Sequence, residues 1–357
     1  MQTLEILYEN PPKSRVFLPR KKSITSKKTA LFGPRFSGKS SIVIDHISNY
    51  KKEECLYIDF SDMRVNINEI EKNLQEFIAK KNIKLLVLEH FHESFQIPQI
   101  DEIILTSTKP LHLKGFISEM VYPLDFEEFI SFERKSLSIE NSFNNFANIG
   151  TYPSIVLRAH EEKYRNMQLL LHACTNTQND IEILKTLSLF QSSKVSILQI
   201  YEILKTKTKL SKDTLYEQIN HLHNEAVIFF LEKFEQPKAT KKLYFIDFAM
   251  KNALTFKKDF LKRFENIIFS ELLKKELKFF YTEHIDFYIP SENLAILCIP
   301  FLPAELIKRR FSKIKNELLS LGVKDIQVVT IGNEGGFVQS GINCEIIPFW
   351  QWALRWM

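Results

Sequence analysis

Residues 33–41 read Gly33-Pro34-Arg35-Phe36-Ser37-Gly38-Lys39-Ser40-Ser41, a glycine, four residues, then glycine, lysine and a hydroxyl, the spacing of a phosphate-cradling loop. The chain has only nine glycines in 357 residues, so two of them at this spacing stand out. The glycines let backbone N–H groups fold around phosphates, Lys39 reaches the β and γ oxygens, and the Ser40 hydroxyl takes one position on Mg²⁺. The flanks agree with this reading. Thr29-Ala30-Leu31-Phe32 is a short β-prone run, and Ser41 to Ile47 starts a helix with an apolar face. Strand, glycine loop and helix together aim a helix N-terminus at an anion. The expected ligands are ATP and Mg²⁺, with all nine residues of the loop as the binding set.

Moving outward, residues 27–110 alternate strand-like and helical patterns, as a parallel sheet requires. Cys55 to Phe60 and Ile83 to Glu89 are apolar runs ending in acids, the composition of strands buried on both faces. Between them Ile70, Leu74, Phe77 and Ile78 share one helical face. Ile103 to Thr108 is a further strand ending in three hydroxyls. Ligands of open parallel sheets sit beyond the strand C-termini, which gathers Asp59, Asp62, Glu89, His90 and Thr106 to Thr108 near the loop.

The middle of the chain is mostly helical and ends in a more particular order. Ile197 to Leu204 is a short amphipathic helix and Lys205 to Lys209 a basic turn. Ser211 opens a second helix, followed by two β-rich runs, Val227 to Leu231 and Leu243 to Ile246. Helix, turn, helix and a two-stranded ribbon is the outline of a winged helix. In a DNA complex Lys207, Lys209, Lys212 and the hairpin lysines Lys238, Lys241 and Lys242 would suit phosphate contacts, which position a protein without reading bases. The same module also serves for packing or protein contact. From Phe260 onward the order reads helix, strands, a basic helix over Ala304 to Leu321, and a strand at Ile326 to Thr330, with Phe279 to Tyr281 among the strands; Trp350, Trp352 and Trp356 read as packing.

Bulk properties narrow the class. Charged residues at 25% and hydrophobic ones at 45% are ordinary for a folded protein. The longest apolar run, Leu294 to Leu302, is too short to span a bilayer, and Met1 to Glu5 lacks the basic start and apolar core of a signal peptide. A cytoplasmic protein without membrane association is expected. Cys55, Cys174, Cys298 and Cys344 form no C-x-x-C pair and read as reduced thiols. The net charge of +5 is uneven: Lys13, Arg15, Arg20, Lys21, Lys22, Lys27 and Lys28 precede the loop. They fit either a phosphate-contacting arm or a solvated leader.

In its order of elements and short motifs the chain resembles the prokaryotic AAA-type ATPases that carry a C-terminal nuclease-like domain of unknown function. The resemblance rests on the phosphate loop, Tyr57 to Phe60, Leu85 to His92, Tyr122 to Phe129, Gly150 to Pro153, Lys242 to Asp247 and Phe264 to Asn266. It implies an α/β fold: a basic leader at 1–26, an AAA-type parallel sheet with helices at 27–123, a helical lid region at 124–180, a winged helix at 181–257 and an α/β restriction-endonuclease-like domain at 258–357. It also implies assembly into a homo-oligomer.

The resemblance assigns the metal site to Ser40 and Glu89, hydrolysis to the pair Glu89 and His90, and γ-phosphate sensing to Thr106. Three departures stand out. The family has Asp then Glu where this chain has Glu89 and His90; Glu89 can hold a Mg²⁺-bound water, whereas a histidine lacks the carboxylate's charge, so slow hydrolysis is expected. Phe116 follows Gly115 where the family tends to have arginine, which leaves Arg64 or Arg158 to act on transition-state charge. In the end domain Asp286 and Glu265 match two acids, but Cys298-Ile299-Pro300 stands where an acid and a lysine belong, so nuclease activity is not expected.

The expected function is therefore an ATP-binding AAA-type protein, a nucleotide-dependent switch or slow ATPase acting with DNA. The alternative is a non-hydrolysing nucleotide-loaded adaptor for a protein partner. A small-molecule kinase fits less well, because Lys109 to Phe129 holds no phosphate-clamping arginine.

Overall fold

The computed structural model describes residues 1–12, 20–133, 138–158, 162–175 and 177–355; Lys13, Arg15 and Trp356 lie outside them. The chain forms two compact units, Met1–Pro123 with Asn224–Ala226, and Leu124–His223 with Val227–Met357. Among the described residues no helix is long and apolar enough to cross a membrane.

The first unit runs α1 (Gln2–Glu9), β1 (Lys28–Phe32), α2 (Lys39–Ile47), β2 (Cys55–Asp59), α3 (Ile67–Lys81), β3 (Leu85–Glu89), β4 (Glu102–Ser107) and β5 (Ile117–Met120). Its five strands are all parallel, in the order β2-β3-β4-β1-β5. Both faces are covered, which is why β3 is apolar up to its terminal Glu89: Leu86 and Leu88 join one core with Leu74 and Phe77 of α3, while Leu85 and Val87 join the other with Ile42 and Val43 of α2. Part of the expected basic leader is helical. α1 buries Leu4 and holds the Met1 ammonium 3.1 Å from Glu69 of α3. β5 is a strand the sequence did not announce. Its residues are exposed or half-buried, so no apolar alternation marks it, and pairing with β1 creates it.

The second unit opens with helices α4 (Phe126–Phe132), α5 (Ile139–Ile149), α6 (Pro153–Val156), α7 (Lys163–Ala173) and α8 (Gln178–Ser188). Next come β6 (Ser193–Lys194), α9 (Ile197–Leu204), α10 (Lys212–Asn224), β7 (Ile228–Leu231) and β8 (Lys242–Phe245), the strands forming an antiparallel sheet in the order β6-β8-β7. The remainder is α11 (Met250–Leu254), α12 (Phe260–Leu273), β9 (Phe287–Ile289), β10 (Leu294–Cys298), α13 (Ala304–Ser320), β11 (Asp325–Thr330), β12 (Gly335–Gln339), β13 (Ile342–Pro348) and α14 (Phe349–Arg355). Its five strands make a mixed sheet in the order β12-β13-β11-β10-β9. The aromatic run Phe279 to Tyr281, expected as a strand, makes only isolated bridges to Tyr288 and Lys233.

The short motifs of the second unit meet in its core. Asp247, fully buried, accepts hydrogen bonds from the Thr151 amide at 2.6 Å, the Thr151 hydroxyl at 2.9 Å and the Ala249 amide at 2.7 Å. Asn266 of α12 bridges both backbone groups of Phe245, accepting from its N–H at 3.0 Å and donating to its carbonyl at 2.8 Å. Phe349 packs its ring centre 5.3 Å from Phe126 and 5.0 Å from Phe143, and Trp352 is buried beside it.

Candidate functional site: the phosphate loop and its acidic strand tips

β1 ends at Phe32 and the chain turns through Gly33–Gly38 into α2, whose N-cap is Gly38. The helix starts at Lys39, two residues earlier than its apolar face suggests. Gly33 permits a close approach that no other residue would. A Cβ there would overlap the carbonyl oxygen of Val121, the residue just after β5, whose amide donates to the Phe32 carbonyl at 2.7 Å. Arg20 ties the loop to the same place, donating to the Ser37 carbonyl at 2.7 Å and the Tyr122 carbonyl at 2.9 Å. Of the basic residues that fit either a phosphate-contacting arm or a solvated leader, Arg20 thus holds a loop carbonyl and Lys22 pairs with Glu119 at 2.7 Å.

Lys39 is buried, and its ammonium donates to the carbonyls of Gly33 at 2.8 Å and Pro34 at 2.9 Å. A lysine has three donors, so one remains for a phosphate oxygen. Burial draws the Lys39 ammonium down to about 8, even though Glu89 and Glu225 favour its charge. Ser37 is fully buried with a hydroxyl that has no partner among the described residues. Pro34 is buried, while Arg35, Phe36, Ser40 and Ser41 face solvent. Phe36 is exposed and adopts φ 64°, an uncommon value for a bulky residue that costs about 1–3 kcal/mol.

β4 lies between β1 and β3, so Thr106 stands between the loop strand and the acidic strand. The Thr106 hydroxyl accepts the His90 amide at 3.1 Å and its carbonyl accepts the Phe91 amide at 2.8 Å. The expected γ-phosphate sensor therefore already fixes the turn that follows β3. His90 leaves that strand at φ 52°, which swings its ring toward β2, where Nδ1 lies 2.8 Å from Asp59 Oδ1. The hydrogen bond to Asp59 raises the imidazole's affinity for a proton more than burial lowers it. Burial pushes the Asp59 carboxyl up, but its bonds to His90 and Ser61 outweigh that and leave it below the ordinary range.

Glu89 is buried and its Oε2 accepts the Tyr57 hydroxyl. Burial and this carboxylate together push the Tyr57 phenol far up, so it remains a donor. Glu89 Oε1 is buried and without a hydrogen-bond partner among the described residues. Asp59, Glu89 and His90 each bring a ligand atom within 4.8 Å of the others. An orphaned carboxylate oxygen in an oxygen-rich cluster fits a hard cation such as Mg²⁺ or one of its bound waters.

Two site residues escaped the sequence reading. Tyr57 orients Glu89, and Glu225 reaches the loop from the chain-distant segment that belongs to the first unit. Glu225 is buried, accepts the Thr108 hydroxyl at 2.9 Å and lies 3.5 Å from Arg35 Nε. No local pattern marks it. Arg64 is exposed and held by Asp62 at 2.6 Å, and Arg158 belongs to the second unit, where it lies 3.8 Å from Glu162.

No protein-family profile matches the sequence. The chain is 25% identical to the uncharacterized protein MJ1544 of Methanocaldococcus jannaschii, over 94% of this chain and 90% of that one. Among solved structures it is similar to the Walker-type ATPase PABY2304 of Pyrococcus abyssi, at 16% identity and a TM-score of 0.46, covering 70% of this chain and 99% of that one. It is also similar to the Orc1 protein of Aeropyrum pernix solved in complex with DNA, at 11% identity and a TM-score of 0.31, covering 66% and 87%. At these scores the structural likeness supports no inference about function.

Proposed function

We propose that the chain binds ATP with Mg²⁺ at Gly33–Ser41 and acts as a nucleotide-dependent switch or slow ATPase that engages DNA. The observation that carries this is the pairing of a buried Lys39 ammonium on its own loop carbonyls with a buried Glu89 Oε1 that has no hydrogen-bond partner among the described residues, a donor and an acceptor close enough for Glu89 to act on the Lys39 charge. The loop amides and Lys39 would take the phosphates, while Ser40 and Glu89 would serve the metal. A Mg²⁺ held there would supply neutralisation of the phosphate charge.

His90 replaces the usual water-activating carboxylate, and its Nδ1 is committed to Asp59. Only Nε2 remains to orient water, so turnover is slow. The same commitment favours a second reading, a non-hydrolysing nucleotide-loaded adaptor for a protein partner. Measuring ATP binding and phosphate release on one sample, beside His90→Glu and with or without duplex DNA, separates the two. Tight binding with slow release, raised by about tenfold or more in His90→Glu, is expected if a base is what the site lacks. Rapid release by the unaltered chain would refute the switch, and failure to bind ATP would refute both readings.

DNA contact is proposed for the module of α9, α10 and the β6-β8-β7 sheet. Lys207, Lys209 and Lys212 are exposed and form no ion pair among the described residues. The hairpin contributes less than its lysine count suggests, since Lys241 binds Glu232 at 2.6 Å and Lys242 binds Glu265 at 2.8 Å. Replacing Lys207, Lys209 and Lys212 together by alanine should weaken duplex binding and lower the slope of log affinity against log salt by about three, roughly one per lost phosphate contact. An unchanged slope would make the module a packing or protein-contact element.

A further inference from the structure

A cavity of about 420 Å³ opens in the second unit, its charged lining made of Lys194, Lys242, Glu283, Asp286, Arg310 and Lys313. Its walls carry four permanent cations against two carboxylates, and the carboxylates are already answered. Glu283 is met by Lys233 at 2.9 Å and Lys194 at 3.6 Å. Asp286 accepts the Cys298 amide at 2.8 Å and faces Lys242 at 3.7 Å. Arg310 and Lys313 stand three residues apart on α13, hence on one face of it, and neither has an ion-pair partner among the described residues. Unpaired cations gathered around a hollow repel one another, and an anion entering it relieves that repulsion.

Lys242 makes the floor of the cavity independent of metal. Its side chain is 12% exposed, and its ammonium lies between two carboxylates, 2.8 Å from Glu265 and 3.7 Å from Asp286. Glu265 also accepts the Tyr244 hydroxyl at 2.6 Å. The position where two acids could share a divalent cation is thus filled by a built-in monovalent one. Burial lowers the affinity of Lys242 for its proton, but Glu265 and Asp286 more than restore it, so the lysine stays charged.

We propose that this cavity is a metal-independent site for a phosphate group carried on a nucleoside, held by Arg310, Lys313 and Lys194 above the Lys242 floor. Arginine supplies a planar fork for two phosphate oxygens, and the lysines supply point charges. The volume is of the size that encloses a small ligand, so a mononucleotide or the phosphorylated end of a strand fits, whereas the middle of a duplex does not. The inference is independent of the phosphate loop.

The test compares binding of a 5′-phosphorylated single-stranded oligonucleotide with its unphosphorylated twin to the full chain in EDTA. The phosphorylated strand should bind about tenfold more tightly or better. That preference should vanish in Arg310→Ala/Lys313→Ala and persist in the Lys207, Lys209 and Lys212 triple variant. The double variant alters only exposed or half-buried positions of α13, so it folds even if a change at Lys242 does not. Displacement by adenosine monophosphate would assign the pocket to free nucleotides as well; preference without displacement would assign it to strand ends. Equal affinity for the two strands, a preference that survives in the double variant, or a preference that needs Mg²⁺ would each overturn the proposal.

Discussion

Replacing Lys39 by alanine is expected to weaken MgATP binding by about a hundredfold, since a hydrogen bond to a charged group is worth about 1.5–3 kcal/mol and each 1.4 kcal/mol is tenfold. The lysine does more than touch phosphate. Its ammonium holds the Gly33 and Pro34 carbonyls in the loop and is the cation that Glu89 and Glu225 act upon. Without it, the Glu89 and Glu225 carboxylates that now act on the Lys39 ammonium would be left to act on an incoming triphosphate, which like charge disfavours. Both effects act in the same direction. Equilibrium titration with MgATP reads the loss, and a thermal melt of the nucleotide-free variant shows whether the loop's own stability has changed. Unaltered affinity in a folded variant would remove the loop from the nucleotide site.

Gly150→Ala should destabilise the second unit by about 3–5 kcal/mol. Gly150 caps α5 at φ 88° and ψ −165°, a region that is essentially glycine's alone and costs other residues about 1–3 kcal/mol. The added methyl would also overlap both carboxylate oxygens of Asp247, with Asp247 Cγ at 2.8 Å. Asp247 could move away only by releasing the Thr151 and Ala249 donors it satisfies, and a buried donor left unmet costs about 1–3 kcal/mol. Denaturant unfolding measures this loss, with Ser142→Ala, a buried change elsewhere on α5, as a milder comparison. A Gly150→Ala protein as stable as the original would show that the Asp247 contacts contribute little.

The contacts around Gly150 and Asp247 show why some motifs are readable while their roles are not. Gly150-Thr151, Asp247 and Asn266 are noticeable as short motifs, yet in the fold they satisfy buried backbone groups and make no part of the phosphate site. The loop itself was legible because its chemistry is contiguous: two glycines, a lysine and a hydroxyl act within nine positions. The acids of β2 and β3 were legible as strand ends, since a parallel sheet delivers them to one edge. Their partners were not. Glu225 meets Thr108 across 117 positions, Arg20 meets Tyr122 across 102, and no periodicity encodes either contact.

Lys242 shows how a local pattern misses distant partners. On a hairpin rich in lysine it reads as a DNA phosphate contact, but Glu265 at 2.8 Å and Asp286 at 3.7 Å hold its ammonium against the wall of the second unit's cavity. β12 and β13 went unread because β12 is glycine-led and largely exposed, while β13 carries polar Asn343 and Glu345 between its apolar positions; they become strands by pairing with each other and with β11.

The central claim, that Gly33–Ser41 is a nucleotide site, is tested most directly by titrating the full unaltered chain with MgATP at equilibrium. The account predicts saturable, Mg²⁺-dependent nucleotide binding that is lost when Lys39 is replaced and retained when Arg310 and Lys313 are. No saturable binding at physiological nucleotide concentrations, or binding that persists without Lys39 and disappears with Arg310 and Lys313, would contradict it.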